Sequence, residues 1–331
     1  MQRALTGIKP TGNAHIGNWL GAIRPALELS QKFDAYYFIA DYHALTTVNA
    51  ISAGPGSDAP ALLRQSSREH AAGWLALGLD VERAVLFRQS AIPEVQELTW
   101  ILACHAGMGV MERGHAVKSA KDAGKHINVG TWMYPLLMAA DILLYDTHIV
   151  PVGKDQKQHL EICRDLAKAF NVHYGENTLV VPEVHIREDV GTIPGMDGRK
   201  MSASFGNEIP LWLSAKKLRK MVMRITTDSR GVDEVKDPDT CNVFNLFKLV
   251  APPEHTENLR ERYMKPGMGY GHAKQELYEV LDRLLSEPRE RYHAWLADPD
   301  GLEDVLADGA KRAKVAADAT LSRVRHAVGL L

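Results

Sequence analysis

One aspartate, Asp141, lies in the middle of an apolar run, LLMAADILLYD at residues 136–146. No basic residue lies within five positions of it on either side. A buried carboxylate that lacks a partner costs roughly several kcal/mol, so it must face water, take up a proton or meet a hydrogen-bond donor. The sequence therefore indicates a site at which the protein or a ligand supplies a donor to Asp141.

A glycine-rich stretch near the start, GIKPTGNAHIGN at 7–18, is a second candidate for chemistry. Glycines at 7, 12 and 17 let the backbone approach a ligand closely, and the start of a helix behind them favours an anion. The same pattern is typical of a purely structural turn between a strand and a helix. The stretch is not GxGxxG, and the chain has no GxxxxGK[ST], so neither the dinucleotide fingerprint nor the P-loop is present.

Two later stretches also combine glycines with polar side chains. In PVGKDQKQH at 151–159, Gly153 ends a predicted strand, Asp155 can cap the next helix, and Gln156 and His159 share one helix face. GRKMSASFGN at 198–207 places a cation and two hydroxyls in a glycine-flanked loop. An ordinary helix cap and a solvated linker explain these two stretches equally well when each is taken alone.

The composition excludes several classes of protein. The chain has 331 residues, of which 45% are hydrophobic and 24% charged, and its net charge of −2 gives no overall basic field for nucleic acid. Its three cysteines form no CxxC pair, and its histidines show no HExxH, which argues against a zinc site or a disulfide framework. No signal peptide or membrane span is recognisable, so we expect a cytoplasmic protein.

The elements that must position these residues alternate between strand and helix in the first half. We predict strands at 2–8, 35–41, 83–90 and 148–152, with helices after the first loop, over 61–78 and after Gly153. This alternation predicts a parallel α/β sheet. Beyond about residue 206 the pattern is helix-periodic, which predicts a helical second domain with its boundary in 191–207.

The three stretches occur in one order: HIGN after the first strand, GxDQ after a later one, and KMSxS at the domain boundary. That combination closely resembles the class I aminoacyl-tRNA synthetases, and within them the tryptophanyl-tRNA synthetase family. The resemblance continues through DYHALT at 41–46, the block at 134–171 and TDSRG at 227–231, and it covers nearly the whole chain.

The resemblance implies a doubly wound, Rossmann-like catalytic domain over 1–195 and, over 196–331, the KMSKS-type loop with a helical tRNA anticodon-binding domain. It also implies that a segment at about 75–130 pairs two subunits into a homodimer and that the last helix packs back on the catalytic domain. The implied reaction is activation of L-tryptophan by ATP with Mg²⁺, followed by transfer of tryptophan to tRNA(Trp). No membrane partner is implied.

The resemblance assigns residues to the ATP site and to charge stabilisation. The groups implied to bind ATP are Lys9, Pro10, Thr11, Gly17, Asn18, Gly153, Lys154, Asp155, Ile193, Lys200, Met201, Ser202, Ala203 and Ser204. His15, Lys121, Lys200 and Ser202 are implied to act on the phosphates in catalysis. No side chain needs to act as a nucleophile, because positioning and charge stabilisation carry phosphoryl-type chemistry of this kind.

The resemblance also answers the question that Asp141 raises. Tyr134, Met138 and Asp141 fall on one helix face, which can line a flat apolar slot with an acceptor at its end. An indole N–H is a donor in an apolar ring, and a carboxylate accepts it strongly. The implied tryptophan site adds packing by Val150 and Val152, and contacts of Tyr134, Gln156 and His43 with the ammonium and carboxylate ends.

Two other functions stay open from the sequence. One is the tyrosyl sister enzyme, although a phenol would call for polar partners other than those around Asp141. The other is a non-catalytic paralogue that senses tryptophan or a nucleotide. Three departures from the family pattern bear on this choice: Ala203 replaces the usual lysine of KMSKS, Lys9 stands where many relatives carry glutamine, and Leu5 stands where an aromatic often flanks the indole.

Overall fold

The computed structural model describes residues 1–47, 58–112, 128–153, 157–186, 193–202 and 205–331. Within them, five strands form one parallel sheet in the order β3-β2-β1-β4-β5. Their bounds are β1 Arg3–Ile8, β2 Asp34–Ile39, β3 Ala84–Arg88, β4 Ile149–Val152 and β5 Glu183–Ile186. The predicted parallel α/β class is confirmed.

Short helices connect the strands of the first half. Their bounds are α1 Ile16–Asn18, α2 Arg24–Ser30, α3 Asp41–Leu45, α4 Ala59–Ala76, α5 Glu94–Ala103, α6 Met108–Glu112, α7 Val129–Leu143 and α8 Lys157–Tyr174. A π-helical turn at Trp19–Ile23 joins α1 to α2, and a 3₁₀ turn at Gln89–Ala91 follows β3. None of the described helices is long and apolar enough to cross a membrane.

Side chains that alternate along β2 enter two different cores. Tyr36 and Phe38 pack on one face of the sheet with α5, α7 and α8. Tyr37 and Ile39 pack on the other face with residues of α4. Because successive strand residues point to opposite faces, a strand that is apolar throughout is covered by helices on both sides, as expected for a doubly wound sheet.

One glycine of the central strand is required by close packing. Gly7 on β1 pairs with Phe38 on β2, and a β-carbon on Gly7 would come within 2.4 Å of the Phe38 ring. This is far shorter than a van der Waals contact, so a larger residue here would push the two central strands apart.

The strand order reverses beside β1, which leads to β2 and β3 on one side and to β4 and β5 on the other. In open α/β sheets, ligands bind outside the carboxyl ends of the strands at such a switch point. The segments that follow β1 and β4 are the glycine-rich stretch and the turn at Gly153, which the sequence analysis selected.

The second half consists of helices, as predicted. Their bounds are α9 Ala215–Val222, α10 Asn242–Val250, α11 Pro253–Tyr263, α12 Tyr270–Ala297 and α13 Pro299–Val328. Helix α12 packs on α4, and α13 packs on β3. The core of this half also contains Ala14, Ile16 and Leu20 from the first loop and helix. The helical half therefore shares its core with the segment that follows β1.

Strand β5 and the helices α3, α5 and α6 of the first half were not predicted from the sequence. Strand β5 is short and lies at the edge of the sheet, and α5 and α6 lie in the segment expected to pair two subunits. Part of that segment is buried within this chain, because Ile101, Leu102 and Met111 are 7%, 0% and 1% exposed. These three residues are therefore covered within the chain, whereas Trp100 and Met108 are 68% and 64% exposed, and the homodimer stays a prediction.

Candidate active site

A cavity of about 650 Å³ lies at the carboxyl ends of the strands, beside the switch point. Residues from both sides of the sheet line it, including seven that the sequence analysis assigned to substrates: Lys9, His43, Tyr134, Met138, Asp141, Val150 and Gly153. Residues between Lys9 and Gly153 in the chain thus converge, because parallel strands present their carboxyl ends at one edge of the sheet.

Asp141 lies on α7 and is 2% exposed. Its Oδ2 atom lies 2.9 Å from Nε2 of His43, and its Oδ1 and Oδ2 atoms accept hydrogen bonds of 2.8 and 2.9 Å from Nε2 of Gln89. Burial raises the pKa of Asp141, while the hydrogen bonds from His43 and Gln89 lower it. The protein itself therefore supplies two donors to the carboxylate that had none nearby in the sequence.

Helix α7 explains how Asp141 reaches this position. The side chain of Asn128 caps the first turn by accepting the Thr131 N–H at 2.7 Å. Leu136, Ala139 and Leu143 are buried on the side of the helix that packs into the core. Asp141 lies two positions after Ala139, and its neighbours Ala140 and Ile142 are also buried, so its carboxylate is surrounded by apolar groups.

The residues expected around a flat ring are present in the same cavity. Met138 and Val150 line it, and Leu5 from β1 lies on the same wall. The hydroxyl of Tyr134 is hydrogen-bonded to Nε2 of the buried His159 on α8. The Tyr134 ring lies edge-on to His43, with the ring centres 6.0 Å apart. The resemblance implies that His43 contacts an end of the amino acid, which stays a prediction; in the structure its Nε2 atom lies 2.9 Å from Oδ2 of Asp141.

Lys9 brings a cation to the same cavity from the segment after β1. Its Nζ donates to Oγ1 of Thr46 at 3.2 Å, and burial lowers its pKa. The partner is a neutral hydroxyl, which leaves the positive charge of Lys9 available to an anionic ligand in the cavity.

His15 forms the cap that begins α1. Its Nδ1 atom accepts the Asn18 N–H at 3.3 Å, and Oδ1 of Asn18 accepts the His15 N–H at 3.0 Å. Burial lowers the pKa of His15, which favours the neutral ring, although Glu208 acts in the opposite direction. Because Nδ1 is an acceptor, the proton of the neutral ring lies on Nε2, which can donate to a phosphate oxygen.

The KMS stretch, residues 200–202, lies against the HIGN stretch, residues 15–18. The Gly17 N–H points to Sδ of Met201 at 3.2 Å, and the Met201 N–H bonds to the Ile193 carbonyl at 2.8 Å. A β-carbon on Gly17 would lie 3.3 Å from Cβ of Met201, and one on Gly21 would lie 4.0 Å from Ile193. Gly21 also lines the cavity, so the segment that contains Gly17 and Gly21 contacts the KMS stretch and also forms part of the cavity wall.

Asn207 holds the turn of the KMS stretch. Its Oδ1 accepts the Ser202 N–H at 2.9 Å, and its Nδ2 donates to the Lys200 carbonyl at 3.1 Å. Asn207 is 3% exposed, whereas Lys200 lies at the surface. Asn207 therefore holds the backbone at Lys200 and Ser202, and Lys200 presents an exposed cation.

Several predicted site residues receive no structural account. Lys121, Lys154, Asp155, Gln156, Ala203 and Ser204 lie outside the residues that the structure describes, as does the side chain of Val152, whose backbone belongs to β4. Pro10 and Thr11 lie in the turn after β1, where the Pro10 carbonyl accepts a hydrogen bond of 3.0 Å from Ser66.

Sequence reasoning missed three polar residues of the site: Gln89, Thr46 and Asn207. A usable signal existed for Gln89, since it directly follows an apolar strand, and the carboxyl ends of parallel strands meet at one edge. Thr46 follows α3 on the same edge. Asn207 had no such signal, because its role depends on a turn that closes back on it.

The geometry fits a ligand with a flat apolar group, a buried N–H donor and an anionic part. Met138, Val150 and Leu5 supply apolar walls, and Asp141 supplies a buried acceptor. Lys9 is a donor in the cavity, while His15 and Lys200 belong to the two stretches that meet where Gly17 contacts Met201. Such a site can align a carboxylate with a nucleotide phosphate and stabilise the charge that develops there.

Comparison with known proteins agrees with this geometry. Residues 1–286 match the family model described as tRNA synthetases class I (W and Y). The tryptophan–tRNA ligase of Pseudomonas aeruginosa is 46% identical over 340 residues, which cover 99% of this chain and 74% of that protein. The tryptophan–tRNA ligase of Rhodopirellula baltica is 45% identical over 328 residues, which cover 99% of both.

Solved structures give the same result. Tryptophanyl-tRNA synthetase from Campylobacter jejuni, complexed with ADP and tryptophan, superposes with a TM-score of 0.89 at 40% identity and covers 99% of this chain and 100% of that one. Tyrosyl-tRNA synthetase from Aeropyrum pernix gives 0.67 at 20% identity, over 93% and 89% of the two chains, which shows a shared fold. The chain belongs to the class I tRNA synthetases of the W and Y family.

Proposed function

We propose that this protein is a tryptophan–tRNA ligase. It activates L-tryptophan with ATP to form tryptophanyl-adenylate and pyrophosphate, and it then transfers tryptophan to tRNA(Trp). The observation that carries the proposal is the buried Asp141 carboxylate in an apolar cavity at the switch point of the sheet. The names of the relatives at 42–46% identity support the same activity.

In this proposal Asp141 accepts the indole N–H, and Met138, Val150 and Val152 pack on the ring. Tyr134, Gln156 and His43 hold the ammonium and carboxylate ends. The support is that Asp141 is buried beside two apolar members of this group. An apolar slot that ends in one strong acceptor suits an indole, which has one donor and no acceptor.

ATP lies along the glycine-rich stretch and the KMS stretch. Gly17 and Asn18 contact the nucleotide, together with Pro10, Thr11, Ile193 and the turn at Gly153, Lys154 and Asp155. The support is the packing of Gly17 on Met201 and of Gly21 near Ile193, which leaves backbone rather than side chains at this surface.

Charge stabilisation drives the first step. The tryptophan carboxylate attacks the α-phosphorus, pyrophosphate leaves, and negative charge grows on the leaving phosphates. His15, Lys200, Ser202, Lys121 and Lys9 donate to these oxygens; the remaining KMS residues are Met201, Ala203 and Ser204. Among the described residues no group of three or more His, Cys, Asp or Glu side chains is placed to hold a metal ion. In this proposal Mg²⁺ enters with the substrate, as MgATP, and neutralises charge on the phosphate oxygens.

The assembly and location belong to the same proposal. A homodimer would cover the exposed Trp100 and Met108 of the segment 75–130. The helical half, 196–331, would bind tRNA, and the catalytic half would be 1–195. All three cysteines are free, which suits the reducing cytoplasm.

Two alternatives make different predictions. A tyrosyl enzyme would activate tyrosine in place of tryptophan. A non-catalytic paralogue would bind tryptophan without turnover, and the alanine at position 203 is the feature that favours it.

Amino-acid-dependent ATP–pyrophosphate exchange with each of the twenty amino acids tests the proposal. We expect exchange with tryptophan alone, and charging of tRNA(Trp) by the same preparation. Equal exchange with tyrosine or phenylalanine would contradict the tryptophan assignment. Tight tryptophan binding with no exchange would favour the paralogue.

A further inference from the structure

Gln89 is a buried polar residue to which neither the family resemblance nor the comparisons assign a role. It begins the 3₁₀ turn after β3 and is 1% exposed. Its Oε1 atom accepts the backbone N–H groups of Tyr42 and His43, at 3.1 and 3.3 Å. Its Nε2 atom donates to both oxygens of Asp141, at 2.8 and 2.9 Å.

These contacts fix which end of the Gln89 amide faces Asp141. The two N–H groups of Tyr42 and His43 lie in the first turn of α3, where N–H groups have no partner within the helix. The Tyr42 N–H also reaches Oδ1 of Asp41 at 3.1 Å, whereas the acceptor that the described residues give the His43 N–H is Oε1 of Gln89. Oε1 therefore faces this turn, and the NH₂ group faces Asp141. The start of α3 therefore dictates that Gln89 presents donors to the carboxylate.

The same contacts determine which hydrogen-bond acceptor positions of Asp141 stay open to a ligand. Among the hydrogen bonds between described residues, Oδ2 accepts from Gln89 and His43, while Oδ1 accepts from Gln89 alone. A carboxylate has about four lone-pair positions, two on each oxygen. One acceptor position on Oδ1 therefore remains for a donor in the cavity.

An NH₂ group that donates to both oxygens also opposes protonation. A carboxylate accepts these hydrogen bonds more strongly than a carboxylic acid does, so they favour the charged form of Asp141. The hydrogen bond from Gln89 accordingly lowers the pKa of Asp141, against the upward effect of burial.

We propose that Gln89 is a positioning residue for amino-acid recognition: through its two hydrogen bonds it orients Asp141 as an acceptor for the ring N–H of the substrate. This proposal rests on the proposed tryptophan activation. Gln89 acts through Asp141 and need not touch the substrate. Because Oε1 of Gln89 accepts the His43 N–H, Gln89 also connects Asp141 to the start of α3.

The test uses Gln89→Glu, which keeps an acceptor for the Tyr42 and His43 N–H groups and replaces the NH₂ donor by a second carboxyl group facing Asp141. Gln31→Glu is the matched control, since Gln31 is exposed at the end of α2. In tryptophan-dependent exchange we expect Gln89→Glu to raise the tryptophan KM by about 10- to 100-fold, the size expected for a lost hydrogen bond to a charged group. The ATP KM and the kcat should stay close to those of the unsubstituted protein.

A tryptophan analogue with sulfur in place of the ring N–H separates positioning from general disruption. As a competitive inhibitor of exchange, this benzothienyl analogue should bind Gln89→Glu and the unsubstituted protein equally well. If the variant weakens the analogue as much as it weakens tryptophan, Gln89 is merely structural and the proposal is overturned.

A double-mutant cycle with Asp141→Asn tests whether Gln89 acts through Asp141. In the Asp141→Asn background, Gln89→Met should change the tryptophan KM little, whereas alone it should change it as much as Gln89→Glu does. If Gln89→Met raises the tryptophan KM by the same factor in both backgrounds, the two residues act independently and the proposal is overturned. Calorimetric binding of tryptophan to the same variants gives this result without turnover, so a failure of the ligase assignment is distinguishable from a failure of the role of Gln89.

Discussion

Burial shifts the pKa of two ionisable side chains that line the cavity, raising that of Asp141 and lowering that of Lys9. Asp141 is surrounded by apolar groups, yet it accepts hydrogen bonds from Gln89 and His43. Lys9 is half-buried and donates to a neutral hydroxyl. Each of these groups is held ready for a ligand of opposite character.

Asp141→Ala should weaken tryptophan binding strongly. The substitution removes the acceptor for the indole N–H and leaves the Gln89 NH₂ group buried without its partner. Discrimination based on such a buried polar contact can reach about 10⁴–10⁵. Isothermal calorimetry should show the loss for tryptophan while ATP still binds. Unchanged tryptophan affinity would show that Asp141 does not read the ring.

Lys9→Gln should slow adenylate formation. Removing one group that stabilises transition-state charge commonly costs about 10²–10³ in rate, and Lys9 is a candidate to replace the lysine that is absent at position 203. Ala203→Lys should speed the step and reduce the effect of Lys9→Gln. Single-turnover measurements on the four-member cycle test this, with the exposed Lys32→Gln as control. Additive effects would exclude Lys9 as the compensating group.

The last helix is the element that ties the two halves of the chain together. Helix α13 packs on the edge strand β3, and Gly309 allows this approach, because a β-carbon there would lie 1.8 Å from the Leu86 carbonyl oxygen. The helix also covers the edge of the sheet that β3 would otherwise expose. Arg88, the residue before Gln89, forms an ion pair with Glu303 of this helix.

Gly309→Ala should lower the free energy of unfolding by about 1–3 kcal/mol, the cost of overpacking a filled core. The loss should occur even though alanine favours a helix by about 1 kcal/mol over glycine. Gly271→Ala in α12 is the control, since its β-carbon would meet nothing within 4 Å, and it should be neutral or stabilising. Urea unfolding measures both. Equal behaviour of the two variants would mean that α13 can shift away from β3 at little cost.

Glu303→Gln should remove a pH-dependent contribution to stability. Hydrogen bonds from Arg88 and Arg68 lower the pKa of Glu303 to about 2, from 4.5. Because the pKa is lower in the folded state, this stabilisation is present above about pH 4.5 and is lost as the pH falls towards about 2. The Glu303 side chain is 37% exposed, so solvent screening keeps the effect below about 1 kcal/mol per pair. Unfolding curves of the variant and the unsubstituted protein should differ at pH 7 and converge in acid; a difference that persists at low pH would contradict this origin.

Among the described residues of the segment expected to join subunits, 75–112 and 128–130, the exposed large apolar side chains are Trp100, Met108 and Val129. Other exposed apolar residues, such as Val315 on α13, lie outside that segment. Trp100 follows directly on core residues of α5, so a partner that covered it would extend the packing of this helix across the interface.

Trp100→Glu should convert a dimer into a monomer of 36.7 kDa at micromolar concentration. A charge in the middle of an apolar contact loses its hydration without gaining a partner. Val315→Glu is the matched control and should leave the assembly unchanged. Sedimentation velocity distinguishes the two species. A monomer in the unsubstituted protein, or a dimer in Trp100→Glu, would exclude an interface centred on Trp100.

The sequence alone determined the fold class and the family. Alternating apolar strands and amphipathic helices are decided by neighbours a few residues apart, and so are the glycine-rich stretch, the turn at Gly153 and the KMS stretch. For that reason β1 to β4 and the helical second half agree with the expectation. The isolation of Asp141 in an apolar run was likewise visible without a structure.

Only the tertiary structure decided which residues meet Asp141. Gln89 and His43 lie 52 and 98 positions away in the chain, and they reach it because β2, β3 and the neighbouring helix α7 bring their ends to one edge of the sheet. The close approach of Gly309 to the Leu86 backbone could not be predicted from the sequence either. Hydrogen bonds and close packing depend on distances between atoms, and residues far apart in the chain acquire such distances only when the chain folds.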